Sequence, residues 1–114
     1  MTGPETVDAG ALPGGGDGVQ WTLEAASDLN ANVVDLAPGH AIDEHVNDEV
    51  DVVVVVLSGE GSATVDGEAH PLAAHVVAHL PKGSRRRIDA AATGLRYVTV
   101  HRRRGPLSIG SRPS

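Results

Sequence analysis

The run Val52-Val53-Val54-Val55-Val56-Leu57 constrains the fold of this chain more than any other stretch. Its valines are β-branched, which stiffens χ1 and suits a pleated strand. Successive strand side chains point to opposite faces, so this strand is apolar on both and both should be covered. Short alternating segments surround it. Val19, Trp21 and Leu23 alternate with Gln20, Thr22 and Glu24, a half-buried strand. Asn30 to Leu36 reads as a second, with Asn30 and Asn32 on the side of Val34 and Leu36. Pro38-Gly39 is a turn, and residues 40–47 are a polar strand or loop. Ser58-Gly59-Glu60-Gly61 is expected to turn the chain. Thr64-Val65-Asp66-Gly67-Glu68 predicts a hairpin with Asp-Gly in a type I′ turn. Further strands are expected over 76–80, 85–90 and 95–102, and no segment carries a sustained 3.6-residue period. The fold class is therefore all-β, a jelly roll or sandwich with about eight or more strands.

A chain of 114 residues makes one domain. It has no Phe, one Trp and one Tyr, so Val, Leu, Ile and Ala must build the core. Residues 1–18, rich in Gly, Pro and Asp and without periodicity, are expected to be a disordered tail. The folded domain should span 19–104, with a second tail over 105–114. No cysteine is present, which excludes disulfides, a thiolate nucleophile and Cys-ligated metal. Nothing reads as a signal peptide, and the apolar run falls far short of the roughly 20 residues of a membrane helix. A cytoplasmic protein without membrane contact is expected.

Charge is segregated along the chain. All 9 Lys and Arg lie between Lys82 and Arg112, whereas every acid but Asp89 lies at or before Glu68. The net charge of -6 disfavours nucleic acid. The runs Arg85 to Arg87 and Arg102 to Arg104 split between strand faces, in a chain with too few aromatics for base stacking. In a closed barrel the acidic and basic segments must meet, so ion pairs between them are expected.

Two spaced motifs frame the central strand. The first is Gly39, five residues, His45, one residue, Asn47, then the strand to Gly59; the second is Pro81-Lys82-Gly83-Ser84-Arg85-Arg86. Together they resemble the cupin pattern over roughly residues 32 to 101, in which two His, a Glu and a third His ligate one metal. The resemblance implies a double-stranded β-helix barrel. The position of the second His is Asn47, that of the third is Arg86, and motif two begins with His75 instead of Gly. Counting back from Gly59 puts the acidic position at Val52, whereas counting from Asn47 puts it at Asp51. The Gly59 count is preferred because it keeps the strand's alternation. A divalent ion about 5 Å from Arg86 would be repelled by roughly 6 kcal/mol at an effective dielectric near 20. No cofactor is expected. The alternative is Fe, Mn, Ni or Zn held by His45, Asn47 and Asp51.

The leading reading is a metal-free module, structural or binding a small acidic metabolite, with Asn32, His45, Asn47, Arg86 and His101 lining the barrel. Arg86 is expected either to pair with Asp51, Glu49 or Asp48, or to hold a ligand carboxylate or phosphate. Tyr97, Thr99 and His101 share one strand face, which could be inner or outer. The first alternative is a metal-independent isomerase or epimerase with His45 as base and Tyr97 as acid. The second is a metal-dependent oxygenase or isomerase with an irregular ligand set. Resemblance to cupins, together with the two-sided apolar strand, implies a homodimer.

Overall fold

A computed structural model describes residues 4–24 and 27–103. The described residues form strands and connections, with no helix long and apolar enough to cross a membrane. The expected tail over 105–114 lies outside them, as do Arg104 and Met1 to Gly3. Seven strands follow in chain order: β1 (Gly18–Thr22), β2 (Leu29–Leu36), β3 (Ala41–Val46), β4 (Val52–Val65), β5 (Glu68–Ala73), β6 (Val77–Leu80) and β7 (Arg85–Arg102).

The two long strands organise the rest. β4 and β7 pair antiparallel from Val53↔Val100 through Val65↔Arg86. The first half of β4 pairs with β6, and its second half with β5. The second half of β7 pairs with β2, which carries β1, and its first half pairs with β3. Two layers result, β1-β2-β7-β4-β6 and β3-β7-β4-β5, sharing the long strands that cross between them. This is a jelly roll.

The crossing is made by register shifts in β4 between Val56 and Ser58 and between Gly59 and Gly61. The turn expected at Ser58 to Gly61 is thus a corner, and the chain runs on through it. Likewise, the strands expected over 85–90 and 95–102 are one, with Ala91 to Gly94 taken up between the pairs Gly61↔Ala90 and Gly59↔Leu95. The expectation of eight or more strands differs from seven in how these corners are counted. The Asp66-Gly67 hairpin is as expected, with φ of 49° and 85°.

Val52, Val54 and Val56 point inward at 1% exposure and meet Leu36, Leu72, Leu80, Ile88 and Leu95. The core is aliphatic, as composition requires, with Tyr97 added from β7. The opposite face of the valine run is only partly covered, and Val53 remains 37% exposed. Acids and bases meet as charge segregation implies. Arg85 and Arg87 of β7 face Glu44 and Asp43 of β3 at 4.0 and 3.5 Å. These exposed pairs stabilise little. The stronger pair is Arg96 with Asp35, at 2.6 Å and 2.8 Å through two nitrogens.

Arg96 also accounts for a contact that sequence reading missed. Its remaining donors reach the carbonyls of Ala9, Leu12 and Pro13. The segment read as a tail over 1–18 therefore lies, in this part, against the outer face of β2 and β7. Asp17 extends the attachment by accepting from the Ala37 amide at 2.9 Å.

His75 sits between β5 and β6 with φ of 78°, a left-handed conformation that costs an L-residue about 1–2 kcal/mol. Glycine avoids that cost but loses about 0.5–1 kcal/mol of chain entropy. His75→Gly is expected to raise stability by roughly 0.5–1 kcal/mol, read from the urea midpoint. A loss of stability would show that the His75 side chain contributes more than its backbone costs.

Candidate functional site

The interior chamber lies between the two layers. β3 and β7 contribute its polar groups, because His45 and Arg86 are direct cross-strand partners. Partners in an antiparallel pair project to the same face with Cβ atoms about 5 Å apart. A register shift between Ile42 and His45 makes this possible. Ile42 packs against the core opposite Ile88. Strict alternation from there would send Glu44 inward and His45 outward. One extra residue in β3 reverses the order, so Asp43 and Glu44 are exposed and His45 turns in.

His45 Nδ1 lies 3.0 Å from the Asp43 carbonyl, within the bulge. A carbonyl only accepts, so Nδ1 carries the proton, and in the neutral ring Nε2 is left as an acceptor. Nε2 is buried and makes no hydrogen bond among the described residues. Arg86 is 2% exposed. It is engaged in a further interaction, but its Nη1 and Nη2 atoms make no hydrogen bond among the described residues.

His45 and Arg86 line one cavity of about 10 Å³ with Tyr97, Thr99, Leu80 and Ile88. That is room for on the order of one water. Tyr97 is 1% exposed, and burial pushes its hydroxyl far above the ordinary tyrosine range. It stays a neutral donor. The period of two along β7 carries Tyr97, Thr99 and His101 to the inner face, resolving the choice left open by sequence.

The other expected site residues are placed differently. Asn47 is 7% exposed, but its Oδ1 accepts from the amides of Glu49 and Val50. Its carbonyl accepts from Gly83, tying the two motifs together. Asn47 therefore builds a loop, and the oxygen that would face a ligand is turned to backbone. Asn32 faces Thr99 across β2 and β7, donates to its hydroxyl at 3.4 Å, and accepts from Thr22 at 2.6 Å. Asn32 and His101 share the inner face but do not line the cavity. His101 Nδ1 lies 2.8 Å from the Arg102 carbonyl.

Asp51 is exposed, whereas Val52 is buried, as the count from Gly59 requires. Asp51 accepts from the Lys82 amide at 2.7 Å and lies 3.5 Å from His79. The Lys82 bond, helped by His79, holds its carboxyl below the usual range. Asp51 is therefore turned away from the chamber and from Arg86, and it fixes the turn that opens motif two. Leu80 is a wall residue that sequence reading did not assign to the site, and Thr99 one that it placed only on the strand face of Tyr97 and His101. For Thr99 the signal was alternation with Tyr97; Leu80 shows its place only once β6 pairs with β4.

The metal that this barrel type implies does not fit the donor set. One imidazole nitrogen faces the chamber, Asn47 Oδ1 is committed to backbone, Val52 is apolar and Arg86 is cationic. Among the described residues no group of three His, Asp or Glu is placed to hold an ion.

A two-layer jelly roll with a small, largely apolar chamber between the motif strands defines the cupin class of barrels. The chain belongs to the cupin domain family, whose match spans residues 32–101. No curated protein matches it significantly. Among solved structures, it is similar to TT1209 from Thermus thermophilus, with TM-score 0.74 and 23% identity over 90% of this chain and 100% of that one. It resembles KdgF from Halomonas sp. with TM-score 0.74 and 18% identity, covering 92% and 97%. A cupin protein from Bacteroides fragilis aligns with TM-score 0.64 and 21% identity, covering 78% and 75%. These likenesses are of fold, and fold does not assign chemistry.

Proposed function

We propose that this cupin domain is a metal-free binding module that receives the acid group of a small organic molecule between Arg86 and His45. One observation carries the reading: a guanidinium and an imidazole nitrogen, held in cross-strand register, converge on a single interior cavity. Convergent polar groups in an otherwise apolar chamber mark a binding site. Arg86 supplies charge and donors to an acid oxygen. His45 Nε2 accepts from the acid's own hydroxyl or from a water beside it.

The test compares thermal unfolding in formate or acetate with chloride at equal ionic strength. A ligand at one hundred times its Kd stabilises by about 2.7 kcal/mol. The wild-type midpoint should rise, and Arg86→Met should abolish the rise. Absence of any carboxylate effect would overturn the reading. So would near-stoichiometric metal in protein purified without chelator, lost in His45→Ala.

Proton-transfer chemistry has one observation in its favour, because His45 and Tyr97 line the same cavity. It ranks second. Burial raises the Tyr97 hydroxyl away from the range of a useful acid near neutrality, and about 10 Å³ admits no substrate body.

A further inference from the structure

The chamber is too small for anything beyond the polar end of a ligand, so the rest of an organic acid must lie elsewhere. β5 and β6 leave the same corner of the barrel. Their link is held where the His75 amide donates to Val56 O and the Val56 amide donates to Val76 O. From there β5 follows the second half of β4 while β6 follows the first half, so the strands diverge into opposite layers. The cleft between them has a volume of about 480 Å³, within the range of small-molecule sites. Its apolar walls are Ala63, Val65 and Leu72 on one side and Val76, Ala78 and Leu80 on the other, and His70 and His79 also line it.

Two contacts join cleft to chamber. Leu80 lines both. Val65, in the cleft, is the direct cross-strand partner of Arg86, in the chamber. An apolar cleft thus ends beside a buried cation, which is the complement of an amphipathic acid.

We propose that the cleft between β5 and β6 binds the hydrocarbon body of a monocarboxylic acid whose carboxylate reaches Arg86 past the side chain of Leu80. This rests on the acid-binding reading above and adds the class of ligand to it. Leu80 moves aside to admit a carboxylate oxygen, and the chain or ring of the acid covers the apolar walls.

Calorimetric titration of the full chain with acetate, butyrate, hexanoate and octanoate tests this, with octylamine as a cationic control. All are kept below micelle formation. Affinity should rise roughly fourfold per buried methylene, octylamine should not bind, and methyl resonances of Val65, Leu72 and Leu80 should shift with octanoate. Ala78→Trp should reduce octanoate to the affinity of acetate while acetate binding persists; Arg86→Met should weaken both. Arg86-dependent acetate binding without any chain-length dependence overturns this inference and leaves the acid-binding reading standing. If octylamine matches octanoate, the carboxylate assignment is wrong. If no carboxylate binds, both readings fall.

Discussion

Gly59→Ala is expected to destabilise the domain by about 3–5 kcal/mol, combining backbone conformation and overpacking. A Cβ at position 59 would stand 2.1 Å from the carbonyl oxygen of Gly94. That neighbour is backbone of β7 at the corner where both long strands change layers, so no side chain can swing away. Position 59 also has φ of +83°. Two companions separate the causes. Gly39 has φ of +75° with nothing within 4 Å, so Gly39→Ala should cost only the conformational share, about 1–2 kcal/mol. Gly61 has no left-handed φ, but its Cβ would meet Asp89 O at 2.2 Å, so Gly61→Ala should show close approach alone. Urea unfolding followed through Trp21 measures all three. A Gly59→Ala loss no larger than that of Gly39→Ala would mean that the corner yields and that close approach costs nothing there. Domain stabilities of about 5–15 kcal/mol leave little beyond such a loss.

Much of this architecture was legible because glycine and alternation report local necessity. Asp66-Gly67 declared its hairpin through the left-handed backbone that such turns require. The count back from Gly59 put Val52 inside and Asp51 outside, because a strand fixes sidedness two residues at a time. What escaped was whatever depends on the partner strand. Gly59 and Gly61 read as a turn, although they permit a corner, since close approach to Gly94 and Asp89 becomes visible only when β7 is laid alongside. The inward turn of His45 depends on a bulge. Alternation from Ile42 alone puts Glu44 inside, and it was the spacing from Gly39, through resemblance, that pointed to His45. Position alone makes Asn47 a pocket residue, but its amide oxygen is taken by two backbone amides of its own loop. The cleft between β5 and β6 has no sequence signal at all. Its apolar walls come from three strands and the link before β6, and are individually ordinary core residues.

Asp35→Ala is expected to cost about 3 kcal/mol, because it leaves the Arg96 cation in a nearly dry site without its carboxylate. The two side chains are 8% and 11% exposed and meet through a bidentate pair. They sit on the outer face of β2 and β7, where Asp35 and Arg96 are register partners. That position would be solvent-exposed without the segment around Ala9 to Pro13. The segment covers the pair, and Arg96 in turn holds the segment through three carbonyls. A single chain layer is a thin cover, which is why the expected cost is at the low end for a broken buried pair. Arg96→Leu should be similarly costly, since it strands the carboxylate. The double variant Asp35→Leu with Arg96→Leu removes both charges and should cost less than the sum of the single changes. A second readout separates pairing from fastening. In Asp35→Ala, Arg96 retains its carbonyl contacts, so the segment near Ala9 stays protected from proteolysis and hydrogen exchange. In Arg96→Leu and in the double variant the same segment opens, whatever the global stability. If Asp35→Ala released the segment as fully as Arg96→Leu, the three carbonyl bonds would not be what holds it. Additive losses in the double variant would show that the two charges act independently.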